Sequence, residues 1–185
     1  MKIAIIGYSG CGKSTLARYL GKKYKAEVLY LDKVHWLPGW REQERDREKA
    51  AVRRFLDTHS SWVIDGNYGD LLYGRRLREA DQILFLNFNR VACLCRALKR
   101  YLRFRGQSRD SMTPGCPEKL DAEFVRWILW DGRRKKYRDR YRAVMRKYPE
   151  KVVVIRGQRE LERYKKSLPL SPASFTYAAN SRCLH

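Results

Sequence analysis

Apolar residues along this chain gather into short continuous runs, separated by longer charged stretches with helical spacing. The runs are Lys2-Ile3-Ala4-Ile5-Ile6, Glu27-Val28-Leu29-Tyr30-Leu31, Trp62-Val63-Ile64, Gln82-Ile83-Leu84-Phe85-Leu86-Asn87-Phe88 and Val152-Val153-Val154-Ile155. They are rich in β-branched and aromatic residues and too short for ordinary helices, which predicts five buried strands. Between them, residues 15–23 put Leu16, Tyr19 and Leu20 on one helical face, and residues 42–56, 71–77 and 159–168 read as further helices. Strands alternating with helices predict a parallel sheet covered on both faces. In such a sheet ligands sit outside the carboxyl ends of the strands, here residues 7–15, Asp32, Asp65 and the stretch after Asn87.

Two long helices are expected between the fourth and fifth strands. The first, residues 90–105, carries an apolar stripe of Val91, Leu94, Cys95, Leu98 and Leu102. The second, residues 121–147, opens with Asp121 as N-cap and continues its apolar face through Phe124, Trp127, Ile128, Tyr137, Tyr141, Val144 and Met145. The Gly-, Pro-, Ser- and Thr-containing stretch between them, about residues 103–120 with its borders, reads as a lid. One domain over residues 1–168 is expected, followed by a disordered tail, residues 169–185, of small and polar residues.

The chemistry is concentrated behind the first strand. Gly7-Tyr8-Ser9-Gly10-Cys11-Gly12-Lys13-Ser14-Thr15 fits the phosphate-loop pattern G-x-x-x-x-G-K-[ST], between a strand and a helix as that motif requires. Backbone N–H groups and the helix dipole make such a turn an anion cradle. Lys13 supplies a charge for β- and γ-phosphates, and Ser14 is the expected Mg²⁺ ligand. The third glycine of a dinucleotide fingerprint is missing, and Lys-Ser follows instead.

A second carboxylate that organises Mg²⁺ is usually found at the end of a neighbouring strand, and Asp65 stands there, although Asp65-Gly66 is also a turn signal. Asp32 ends the second strand, where a carboxylate can orient or deprotonate an acceptor hydroxyl, or cap a turn. His35 and Trp36 follow, with Trp40, as acceptor-binding or packing residues; Asn67 and Arg90 complete the substrate candidates. Arg90, Arg96, Arg100, Arg103, Arg105 and Arg109 flank the lid, and Arg100 and Arg103, with Arg133 at its return, are the candidates for neutralising a transferring phosphoryl group.

Composition adds a bias toward anionic partners. Forty-one Lys and Arg against twenty Asp and Glu give a net charge of +21. The dense run Arg133, Arg134, Lys135, Lys136, Arg138, Arg140 and Arg142 winds around its helix, so it reads mostly as a solvated face or a nonspecific polyanion surface. The five cysteines are odd in number and lack C-x-x-C spacing, which fits a reducing cytoplasm. Cys11 lies inside the phosphate loop, where its oxidation is expected to block nucleotide binding. No apolar run approaches the ~20 residues of a membrane span.

The motifs together resemble those of the bacterial DNA topology modulation proteins of FlaR type: the phosphate loop, Leu31-Asp32 with His35-Trp36-Leu37-Pro38-Gly39-Trp40, Trp62-Val63-Ile64-Asp65-Gly66-Asn67-Tyr68, Phe88-Asn89-Arg90, Gly115-Cys116-Pro117-Glu118-Lys119 and Trp130-Asp131-Gly132-Arg133. The resemblance covers about residues 1–167 and implies a P-loop kinase fold of adenylate-kinase type: three α/β/α layers, a five-stranded parallel sheet and a helical lid. It also implies ATP and Mg²⁺ as cofactors, a metal role for Ser14 and Asp65, and an adenine beside Arg156-Gly157-Gln158. Asn87 departs from the acidic residue usual in that family at the end of strand four, which leaves more of any metal role to Asp65. Two functions follow as expectations. One is a phosphotransferase acting on a small-molecule acceptor. The other is an ATP-responsive regulator that holds DNA through its basic surface without reading sequence.

Overall fold

The computed structural model describes residues 1–169, so residues 170–185 of the expected tail lie outside the described residues. The five predicted strands form one sheet: β1 (Lys2–Gly7), β2 (Glu27–Tyr30), β5 (Trp62–Asp65), β6 (Gln82–Leu86) and β7 (Val152–Ile155), in the order β2-β5-β1-β6-β7. All pairings are parallel, with Ile5 opposite Asp65, Tyr30 opposite Asp65, Gly7 opposite Leu86, and Leu86 opposite Ile155. Every residue of β5, and all but the first of β1 and of β6, is buried. Successive side chains point to opposite faces, so both faces of the sheet's centre are covered, and this is why these strands read as unbroken apolar runs. The result is a three-layer α/β/α fold whose strands end together on one edge.

The cover is supplied by α1 (Lys13–Tyr24), α3 (Arg45–Thr58), α4 (Tyr73–Glu79), α5 (Arg90–Phe104), α7 (Lys135–Lys147) and α8 (Gln158–Ser167). On α5 the predicted apolar stripe is turned outward. Val91, Leu98 and Leu102 are 64%, 45% and 66% exposed, while the small Cys93 and Ala97 are buried. The reason is close approach: a Cβ on Gly10 would lie 2.4 Å from the Cys93 carbonyl oxygen, so α5 presses its narrowest face onto the phosphate loop.

Three further expectations are corrected. Leu31 leaves the second strand and opens a short helix, α2 (Leu31–His35), which puts Asp32 in a helical first turn. Residues 36–42 form an antiparallel hairpin of β3 (Trp36–Leu37) and β4 (Arg41–Glu42), and α3 begins only at Arg45. The predicted helix 121–147 is broken into α6 (Ala122–Leu129), a 3₁₀ turn (Asp131–Arg133) and α7. Trp130 leaves helical geometry at φ −131°, Asp131 takes ion pairs from Arg126 and Arg134, and Gly132 sits where a Cβ would meet the Trp127 carbonyl at 2.9 Å. Asp121 does cap α6, accepting from the Phe124 N–H at 2.8 Å. The lid itself is not helical: residues 105–120 form a loop closed by a bridge between Arg105 and Glu118, flanked by α5 and α6.

Candidate phosphate and acceptor site

The phosphate loop runs from the end of β1 to the start of α1. Gly12 is the N-cap of α1 in the left-handed region, at φ 93°, a geometry that glycine adopts at low cost. Lys13 folds back over the loop, its Nζ donating to the Tyr8 carbonyl at 3.0 Å. The loop is held from three sides. Asn67 Oδ1 accepts from the Gly7 N–H at 3.0 Å, and its amide nitrogen donates to the Gly7 carbonyl and to the Tyr141 hydroxyl. Trp127 Nε1 donates to Ser9 Oγ at 3.1 Å. The Arg133 guanidinium donates to the Phe88 carbonyl at 2.7 Å and lies 3.9 Å over the Tyr8 ring. Asn67 and Arg133, two predicted site residues, thus have their polar groups engaged in shaping the loop. Cys11 is fully buried, and burial pushes its thiol up to about 11. A shielded, protonated thiol is a poor target, so the expected oxidative block at Cys11 loses its physical basis.

Asp65 lies at the end of β5, buried beside Lys13 and Ser14. Burial raises its carboxyl to about 6, with the Asp32 charge adding to the rise, against the opposing pull of Lys13 and a hydrogen bond from Ser14. Burial also works against the charge of Lys13, but Cys11, Asp65 and Asp32 outweigh it and the ammonium is stabilised. Asp65 Oδ1 is buried and has no hydrogen-bond partner. An orphaned buried carboxylate oxygen next to a hydroxyl is a donor pair suited to a hard cation. No cluster of three or more His, Cys, Asp or Glu side chains suited to a metal occurs among the described residues. A cation at Ser14 and Asp65 would therefore complete its shell with phosphate or water oxygens, as phosphate-loop Mg²⁺ does.

Asp32 faces the same centre from the start of α2. Its Oδ1 accepts from the Tyr68 hydroxyl at 2.9 Å, and burial together with the Asp32 charge pushes the Tyr68 phenol far up, so it remains a donor. His35 is placed differently from the expectation of a substrate contact. Its Nδ1 lies 2.5 Å from Oε1 of Glu48, a fully buried carboxylate that also takes Arg45 at 2.8 Å. This pair pins α2 to α3. Trp36 packs edge-to-face on His35 and on Trp40. Trp40 holds φ 61° at the hairpin tip, an unfavourable conformation for a bulky side chain.

Residues 113–116 of the lid loop bond to the β3–β4 hairpin. Thr113 Oγ1 donates to the Trp36 carbonyl at 2.5 Å, Gly39 N–H donates to the Gly115 carbonyl at 2.9 Å, and Cys116 Sγ contacts the Leu37 carbonyl at 3.2 Å. Arg100 and Arg109 converge on the buried Glu118: Arg100 Nη2 lies 2.7 Å from Oε1 and Arg109 Nε 2.5 Å from Oε2. The Arg109 charge is felt at Asp65, and Asp32 is felt at Arg100. Arg103 points away, exposed over its neighbour Phe104, and Arg90 is exposed at the first turn of α5. Arg96 reaches the loop instead, with Nη1 placed 3.3 Å from where a Gly12 Cβ would stand and Nη2 on Gln158. Arg156 is exposed at the end of β7, its N–H bonded to Glu160 Oε2 at 2.7 Å, and Thr15 is exposed on α1. The sequence reading missed Glu118, Glu48 and Tyr68, and ranked Arg109 below Arg103; none of these has a local spacing that marks it.

No family model and no curated protein matches the chain. Solved structures do. A structure of deoxyadenosine kinase from M. mycoides with bound dATP superposes at a TM-score of 0.54, with 17% identity over 90% of this chain and 98% of the other. The same kinase with products dCMP and a flexible dCDP bound gives 0.52 at 17% identity over 90% and 97%. A gluconokinase from Sinorhizobium meliloti 1021 gives 0.48 at 16% over 90% and 89%. The first two establish the class of fold: this chain folds as the P-loop kinases do.

Proposed function

We propose that this protein is a Mg²⁺-ATP-dependent phosphotransferase that phosphorylates a hydroxyl group of a small molecule. One observation carries the reading: the buried, unpartnered Asp65 carboxylate oxygen beside Ser14 and Lys13, with the Asp32 charge acting on both Asp65 and Lys13. Lys13 and the phosphate-loop amides bind the nucleotide phosphates, and Ser14 and Asp65 would hold a Mg²⁺ that would supply charge neutralisation for the transferring group. Asp32, kept in place by Tyr68, orients the acceptor hydroxyl and takes its proton. The lid bonded to the β3–β4 hairpin excludes water, so that phosphate goes to the acceptor and not to hydrolysis. We read the motifs shared with FlaR-type proteins as marks of this kinase fold. The likeness to kinases does not favour the DNA-regulator reading, and part of the basic run is internally paired: Lys135 and Arg142 of α7 with Asp139, and Arg134 just before the helix with Asp131.

Incubating the protein with γ-labelled Mg-ATP and a panel of nucleosides, nucleotides and sugars tests the proposal. A labelled acceptor is expected, with Asp32→Asn lowering transfer far more than ATP affinity. Transfer unaffected by Asp32→Asn would remove the acceptor role given to that residue.

A further inference from the structure

The lid holds an Arg–Glu–Arg arrangement in which a buried Glu118 is shared by two half-buried arginines. Glu118, with 4% of its side chain exposed, is shared by Arg100 from α5 and Arg109 from the lid loop. Burying charges is costly, and packed apolar residues in the same space are often as stabilising or more so. The arrangement also carries a net positive charge on a lid that is bonded to α2 next to Asp32: Thr113 Oγ1 meets the Lys33 carbonyl at 3.4 Å and the Trp36 carbonyl at 2.5 Å. Arg109 makes two contacts within the lid. Its Nε lies against Glu118 but too poorly aligned for a hydrogen bond, and its Nη1 meets Ser111 Oγ at 3.4 Å. A half-buried guanidinium with spare donors, set near the metal carboxylate, suits a group that arrives bearing negative oxygens.

We infer that Glu118 is a positioning residue: resting on the phosphotransferase reading above, it fixes Arg100 and Arg109 at the angle from which Arg109 meets the transferring phosphoryl group. The carboxylate touches neither substrate nor metal in this role. It acts through the arginines, and through the loop that ties them to the acceptor hairpin. Glu118 N–H donates to the Gln107 carbonyl at 2.9 Å, so the same residue closes the lid loop and aims its charge. Acceptor binding at the β3–β4 hairpin and arginine placement over the phosphates are thereby one mechanical event.

A double-mutant cycle tests this, because Glu118 must act through Arg109 if the inference holds. Glu118→Gln is expected to lower kcat about ten- to a hundredfold, with KM for ATP within about threefold of wild type, since misplaced catalytic groups cost rate more than ground-state binding. Arg109→Ala is expected to cost more, and the double variant no more than Arg109→Ala alone. Losses that multiply in the double variant, or an unaffected kcat in Glu118→Gln, would overturn the inference. If Glu118→Gln fails to fold, Glu118→Asp, which keeps the charge one methylene further back, carries the same cycle.

A readout independent of turnover separates this inference from the function on which it rests. In wild type, a non-hydrolysable Mg-ATP analogue is expected to slow amide exchange in both residues 7–15 and residues 105–120. Glu118→Gln should keep the first protection and lose the second. That pattern in a protein that transfers no phosphate would overturn the phosphotransferase reading and leave Glu118 only the ordering of the lid on bound nucleotide; equal lid protection in both proteins would overturn the positioning role.

Discussion

The phosphate loop and the lid meet at one centre but are built by opposite means. The loop is a local structure. Its strand, turn glycines, lysine and helix are contiguous in sequence, and its turn comes from backbone geometry at Gly10 and Gly12, braced from outside by Asn67, Trp127 and Arg133. The lid is assembled from distant segments. Glu118 reaches Arg100 across eighteen residues, and Thr113 reaches Trp36 across seventy-seven. A local anion cradle can be fixed before any ligand arrives, whereas a cover joined by a few long-range bonds is the part of a fold that opens at lowest cost. In the proposed reaction the two regions would divide the work: one would hold the nucleotide, and the other would complete the site when the acceptor is in place.

Substitutions on either side sharpen that division. The largest effect is expected from Lys13→Ala, a loss of about a thousandfold in transfer with the fold intact, because the cradle loses its one charge on the phosphates. Melting temperature and turnover measured on the same preparation check it. Asp65→Asn follows, with transfer down about a hundredfold and an unusual stability signature. The Asp65 carboxyl is raised from 3.8 to about 6, so the folded state favours its protonated form. Its stabilising contribution is complete below pH ~4 and is lost as pH rises through about 6. Without nucleotide, Asp65→Asn should therefore be more stable than wild type by about 1–3 kcal/mol at pH 7, with the difference vanishing near pH 4. Denaturant titrations between pH 4 and 8 would show it, and a flat difference would mean that Asp65 is not strained by burial.

On the cover, His35→Ala separates packing from substrate contact. The His35–Glu48 pair is buried between α2 and α3, so its loss should cost about 2–3 kcal/mol of stability. Full stability combined with a raised acceptor KM would restore the substrate role. The smallest effect is expected from Arg103→Ala. Its side chain is exposed over Phe104, and transfer should stay within about twofold of wild type.

These contrasts also explain what was legible in the chain. The strands and the phosphate loop announce themselves because buried parallel strands are apolar runs and the loop is a contiguous pattern. Asp65 and Asp32 follow from the rule that ligands gather at strand ends. The broken helix at Trp130 was hidden because helical spacing continues across Asp131 and Gly132. The stripe of α5 was legible but its exposure at Val91, Leu98 and Leu102 was not, because periodicity shows that a helix has an apolar face and not whether that face is covered. Glu118, although part of the quoted Gly115–Lys119 motif, received no role, and Glu48 was not singled out, for a related reason: a glutamate in a charged sequence reads as surface, and only tertiary contacts with Arg100, Arg109, His35 and Arg45 make it structural.

The most direct test of the central claim follows the γ-phosphate of labelled ATP with and without magnesium, in the presence of the acceptor panel. The account predicts that the label moves to an acceptor hydroxyl only when magnesium is present. Label recovered solely as inorganic phosphate, or transfer that proceeds equally well without magnesium, would contradict it.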